Sequence, residues 1–484
     1  MLPCGGLGES LRRGTAAHAA AFAVLLAVAP AAAECDSTAR PTPRTLILAL
    51  DGVPYRAVRV AREMGAFAGW AEPRPLVSTF PSMTNVGFAA ILEPFGAERI
   101  PGYEIRYYDR ERNEVVGGGV FGLKFEWRRH FQIRLGGWWP KSGLYFTPRA
   151  SARKEMHHVA RWVLETPDDV MLALISSTDP LMHFKGEDAV VDLLVEFSRE
   201  IEDLRRGHER RERRPLDVVL LSDHGNAGGK VRRPDGLLRM LRRGGLSPAK
   251  RLGGPDDVIA QSFGIVGYGA LYLDPSRAER AARIVLEHRG VGLAAWLEGE
   301  SELRLLTDAG SAEIEWRSDR SGERMAYRPD RGDPFDLAAT LAHMRQAGRL
   351  DAQGFASRED WFEWTARDRY PDGVARLVDS LRGTWVGNAA TVIFSYEPGY
   401  AWGLKPAEVA AWIRSGRLEA THGGLDREST WGFFMTSDPD LPTPPAVRAE
   451  RALTRWSSAA GCSTAALLEF TGGRDVHDAR AGRR

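Results

Sequence analysis

Residues 45–52 read "TLILALDG". An unbroken apolar run of this length reads as a β-strand buried on both faces, since hydrophobic alternation disappears when neither face meets water. Asp-Gly closes it and leaves an acid at the strand's C-terminal end. The pattern recurs in "DVMLALISSTDP" (169–180) and "LDVVLLSDHG" (216–225). Between those two, "AVVDLLVEFSREIEDLRR" (189–206) places apolar residues at helical spacing with a charged opposite face. Strand, helix and strand in that order make a βαβ unit and hence a parallel sheet. The predicted fold class is α/β, a mostly parallel central sheet flanked by helices. Ligands of such sheets sit beyond the carboxyl ends of the strands, where all three runs deposit polar residues.

Those polar residues form a set. Asp51 closes the first strand, Asp179 and His183 follow the second, and Asp223-His224 closes the third. A later turn, "ATHGGLDREST" (420–430), adds His422 ahead of an apolar segment. Singly, each has a plain structural reading as a cap or turn residue. Together, three Asp and three His match the ligands of two zinc-like divalent ions, with imidazole and carboxylate and no sulfur.

The stretch 77–88, "VSTFPSMTNVGF", lies downstream of the first strand. Thr79 precedes Phe-Pro in a turn that enters a helix, and Pro81 suits a first helical turn. A helix cap is one reading of Thr79. A nucleophile is the other: a divalent cation lowers the pKa of a hydroxyl, and the helix N-terminus offers N–H groups to a phosphate. The neighbouring ligand set favours the nucleophile.

The ordered pieces "ILALDG", "STFPS", "STDPLMH", "SDHG" and "THGG" resemble the alkaline phosphatase superfamily, and within it the type I phosphodiesterase/nucleotide pyrophosphatase branch. The resemblance covers roughly residues 45–230 and 415–440. It implies an alkaline phosphatase-like fold and Thr79 as nucleophile. One ion would be held by Asp179, His183 and His422, the other by Asp51, Asp223 and His224 with the Thr79 oxygen. The implied reaction is metal-dependent hydrolysis of phosphodiester or pyrophosphate bonds through a phospho- or nucleotidyl-threonine. The sequence departs from the family at Ser82, where Asn is usual, and in "RIPGYEIRYYD" (99–109), which lacks a phosphate-holding Asn. Asn85, Lys185 and Arg427 are the candidate substrate contacts. Alternatives are a phosphomonoesterase or phosphonate hydrolase of the same superfamily, a non-catalytic metal-binding envelope protein, and a phospho-group transferase.

The gap from His224 to His422 is too long for a loop and must carry its own structure. Helices are expected at 277–291, 335–348 and 405–416, and a hairpin at 312–327 with a Ser-Asp-Arg-Ser-Gly turn. The expected organisation is a signal peptide over 1–33, the first part of the main domain over 34–270, an inserted α+β subdomain or cap over 271–400, and a return to the main domain over 401–484. Arg12-Arg13, an apolar run and Ala31–Ala33 describe a cleaved leader, so a periplasmic or secreted protein with no transmembrane span after cleavage is expected. Cys35 and Cys462 would remain in the mature chain as a candidate disulfide. With 65 basic and 64 acidic residues the chain carries a formal charge of +1, which gives no reason to expect binding to a nucleic acid duplex. The expected partners are a small phosphoester, such as a nucleotide or lipid head group, and two divalent ions, zinc by ligand type.

Overall fold

The 45–50 run forms an interior strand of a six-stranded sheet whose members, in chain order, are Arg44–Leu50 (β1), Arg74–Val77 (β2), Val170–Ile175 (β3), Leu216–Leu221 (β4), Trp431–Thr436 (β5) and Val447–Arg448 (β6). The computed structural model describes residues 42–118, 125–133, 147–261, 264–320, 322–403 and 418–460. Strand order is β6-β2-β5-β4-β1-β3. β1 pairs in parallel with β3, Thr45 opposite Val170, and with β4, Arg44 opposite Leu216. Only β5 runs against its neighbours. The sheet is therefore mostly parallel, as the apolar runs predict.

Both faces are covered, which is why the runs show no polar alternation. Leu46, Leu48 and Leu50 point to one face, where they pack with residues of three helices: Tyr55–Glu63 (α1), Pro148–Glu165 (its contributors include Met156 and Val159) and Thr178–Glu212 (Leu193, Phe197). Ile47 and Ala49 point to the other face, in one cluster with Val86 and Phe88 of the helix Thr84–Ile91 (α2). Each such buried aliphatic side chain contributes about 1.5–3 kcal/mol relative to exposure. The helix expected over 189–206 is the larger part of Thr178–Glu212, which is broken at Gly186 by a φ of 77° that favours glycine.

A second sheet of nine strands takes its members from Ser247–Pro248 to Val392–Tyr396 and is antiparallel apart from its Ser247–Pro248/Asp257–Gln261 edge. The expected hairpin is present as Gly310–Asp319 and Gly322–Gly332. Two of the expected helices are present in shorter form, Ala278–Leu286 and Ala338–Gln346. Residue 271, the expected start of the insertion, lies inside the strand Tyr268–Leu273. Leu293, Ala295 and Ile314 of the second sheet belong to the same buried cluster as Ile47 and Val219 of the first, so the two share a core.

No helix of the described residues is long and apolar enough to cross a membrane. The expected leader, Cys35, Cys462 and the helix at 405–416 lie outside the described residues.

Candidate metal centre

Strands β4, β1 and β3 are adjacent and run the same way, so the residues that follow them emerge side by side. Asp51 follows β1, Asp223 and His224 follow β4, and Asp179 follows β3 in the first turn of Thr178–Glu212. His183, four residues on, shares Asp179's helix face. His422 comes from the far end of the chain. Its turn is fixed by Ala420–Thr421 pairing with Ala227–Gly228, just past His224, and by Gly267 N–H donating to His422 O at 2.7 Å. The second sheet, through the residue before Tyr268–Leu273, thus helps to place the last histidine.

The six side chains form two groups, Asp179/His183/His422 and Asp51/Asp223/His224, and within each the potential ligand atoms lie within 4.8 Å of one another. His183 Nε2 is 3.2 Å from Asp179 Oδ2, and His422 Nε2 is 3.9 Å from Asp179 Oδ1. His224 Nε2 is 3.4 Å from Asp223 Oδ2 and 3.8 Å from Asp51 Oδ1. The His224 and His422 rings stack with centroids 4.0 Å apart.

Outer hydrogen bonds fix each imidazole. Nδ1–H of His183 donates to Ala420 O at 2.7 Å, that of His224 to Gly225 O at 2.8 Å and that of His422 to Ser82 O at 2.9 Å. A carbonyl can only accept, so each Nδ1 carries a proton, and in a neutral ring Nε2 then turns a lone pair inward. Burial, the largest influence, keeps His224 below the usual histidine range and pulls His422 down to about 3, so both rings are neutral. Burial pushes Asp51 and Asp223 well above the carboxylate range, with repulsion from Asp223 and Asp179 adding at Asp51 and repulsion from Asp179 adding at Asp223. Asp179 moves the other way: against the upward push of burial, the charge of a protonated His183 beside it and a hydrogen bond from that ring hold it down.

Acceptors therefore face acceptors. Asp223 Oδ2 is buried without a hydrogen-bond partner. Neighbouring buried acids and inward lone pairs of this kind are costly unless cations lie among them. The donor set and its outer hydrogen bonds fit two divalent ions of the zinc type.

One expected residue is elsewhere. Thr79 Oγ1 donates to Pro81 O at 3.3 Å, and its carbonyl accepts from Arg376 Nη2 at 2.9 Å. The hydroxyl at the ligands belongs to Thr84, whose Oγ1 is 3.1 Å from Asp51 Oδ1 and 3.2 Å from His224 Nε2. The reason is the helix start. α2 begins at Thr84, not near Pro81, so the residues from Ser78 to Met83 form an irregular approach that bends at Phe80 and Pro81, and Thr84 takes the helix-terminal place assigned to Thr79. The signal for it, "PSMTN", sits inside the same quoted stretch.

Asn226 is a further residue the sequence reading missed. Its Nδ2 donates to Gly52 O at 2.7 Å and to Asp179 Oδ1 at 3.2 Å. Of the candidate substrate contacts, Asn85 is half-buried beside Thr84 in the first turn of α2, and Lys185 is exposed two residues past His183. Arg427 is committed to another place: its guanidinium lies over Trp431 and donates to Arg367 O at 3.1 Å.

No protein-family model matches the chain, and no curated protein does. Among solved structures, human ectonucleotide pyrophosphatase/phosphodiesterase 5 is similar at 10% identity and a TM-score of 0.45, over 88% of this chain and 95% of that one. Phosphonoacetate hydrolase from Sinorhizobium meliloti 1021, in complex with phosphonoacetate, is similar at 12% identity and a TM-score of 0.46, over 87% and 96%.

Proposed function

We propose that the protein is a two-metal hydrolase of the alkaline phosphatase superfamily that cleaves phosphodiester or pyrophosphate bonds, with Thr84 in place of Thr79 as the nucleophile. The observation that carries this reading is the Thr84 hydroxyl, which faces Asp51 and His224 at hydrogen-bond distance from the first residue of a helix. A structural metal site has no use for such a hydroxyl.

One ion would be held by Asp179, His183 and His422 and the other by Asp51, Asp223 and His224. When bound, the two ions would lower the pKa of the hydroxyl and neutralise charge on the transferred group. The chain's own residues supply the rest. Thr84 presents its oxygen for attack, with its proton directed at Asp51 Oδ1. No side chain caps the N-terminus of α2, so its first N–H groups are free of side-chain competition for a phosphoryl oxygen. The Thr84 O–P bond forms as the bond from phosphorus to the leaving oxygen breaks. Water then releases the group from Thr84 and restores the hydroxyl. Zinc is the proposed ion, and export to the periplasm or medium, directed by residues 1–33, the proposed location.

The test compares wild type with Thr84→Ala on bis-p-nitrophenyl phosphate and p-nitrophenyl phosphate, with zinc and after chelation. Zinc-dependent diester cleavage that vanishes in the variant is the expected result. Turnover of the monoester alone would put a phosphatase in its place, and full activity of Thr84→Ala would remove the nucleophile assignment.

A further inference from the structure

Arg376 lies on the helix Gly373–Arg382, which belongs to the insertion, and is 4% exposed. Its Nη1 donates to Pro371 O at 2.9 Å and Leu425 O at 3.1 Å. Its Nη2 donates to Thr79 O at 2.9 Å and Ser82 Oγ at 3.0 Å. All four acceptors are neutral oxygens. Buried Asp372 and Asp426 attract the guanidinium through space without bonding to it, and a buried charge so compensated adds on average no more stability than a well-packed apolar side chain of similar volume. Stability therefore does not explain the choice of arginine here.

The acceptors explain it. Thr79 and Ser82 belong to the segment that delivers Thr84, and Leu425 lies three residues past His422. Ser82 joins the two: its Oγ lies 3.0 Å from Gly424 O, while its carbonyl receives the His422 Nδ1–H at 2.9 Å. A planar guanidinium with donors on two arms can hold both segments at once, as a lysine cannot. We infer that Arg376 is a positioning residue by which the insertion clamps the Thr79–Ser82 segment to the His422 turn, setting the aim of His422 Nε2 and the start of α2. The inference rests on the metal centre proposed above.

The test is calorimetric titration of zinc into the metal-free full chain, with thermal melting of the same samples. Wild type should show two binding events, and the one lost in His422→Ala is the His422 event. In Arg376→Met, that event should weaken by about 10- to 100-fold, the usual effect of removing an outer-shell partner. The Asp51/Asp223/His224 event should change by less than about threefold, and Arg376→Lys should not restore the loss. If Arg376→Met does not fold, Ser82→Ala takes its place. That variant keeps the buried charge but removes one acceptor, and it should weaken the same event. Two events unchanged in the folded variant, or weakened equally, would overturn this inference alone. A wild type that binds no zinc would overturn the metal centre and this inference together.

Discussion

Thr84 Oγ1 stands 3.1 Å from Asp51 Oδ1, joining the first residue of α2 to the acid that closes β1. Thr79 Oγ1, five residues earlier, meets only the backbone of its own turn. Two hydroxyls in one short stretch thus separate into one that faces the ligands and one that helps shape the approach.

Exchange of these two threonines should be highly unequal. Thr84→Ala is expected to lower kcat by about 1,000-fold or more, as loss of a nucleophile does. Thr79→Ala should stay within about fivefold, with a stability loss of about 1 kcal/mol for one hydrogen-bonding hydroxyl. Steady-state kinetics and chemical denaturation of the pair decide the matter, and a larger kinetic loss in Thr79→Ala would reverse the assignment.

Gly52 permits the strand end to turn beneath a ligand. Its φ is 65°, and a Cβ at this position would collide with Asp179 Oδ1. Gly52→Ala should therefore cost about 1–2 kcal/mol from the backbone alone. It should also displace Asp179, with at least one zinc missing by elemental analysis. Retention of both ions would show that the turn relaxes without disturbing the carboxylate.

Asn226 anchors Asp179 from behind. Asn226→Ala should weaken zinc at the Asp179/His183/His422 group by about 10- to 100-fold, since it removes the hydrogen bond that orients a ligand. The other group serves as the internal control in the same titration.

Glu155 gives a pH dependence of stability. Its carboxylate is buried and accepts N–H from Ser176 and Ser177, at 3.1 and 3.0 Å, yet burial pushes its pKa from 4.5 up to about 7. The folded protein therefore binds this proton more tightly than the unfolded chain. The associated stability is fully present below about pH 4.5 and is lost as pH rises through about 7, to a total of about 3 kcal/mol. The difference in unfolding free energy between wild type and Glu155→Gln should fall across that window, and a flat difference would show that Glu155 does not titrate there.

The features written in the residues themselves are local. Apolar runs such as 46–50 declare buried parallel strands because both faces of a strand must be covered. The acids and histidines after them declare a ligand set because the ends of parallel neighbours come together. The βαβ unit, the hairpin expected at 312–327 and the gathering of six acids and histidines into two groups were legible in that way. Tertiary structure decided what depends on partners distant in the chain. Thr79 and Thr84 are both polar residues ahead of an apolar segment, and only the helix start and the position of Asp51 distinguish them. Asn226 acquires its role from Gly52 and Asp179, and Arg376 from carbonyls and a hydroxyl that span residues 79 to 425. Likewise the second sheet begins before residue 271, because its Tyr268–Leu273 strand is held by Asp257–Gln261 on one side and by Val392–Tyr396 on the other. Periodicity records which face a residue turns inward; it does not record which residue waits there, and hydrogen bonds across hundreds of positions leave no pattern in the residues that make them.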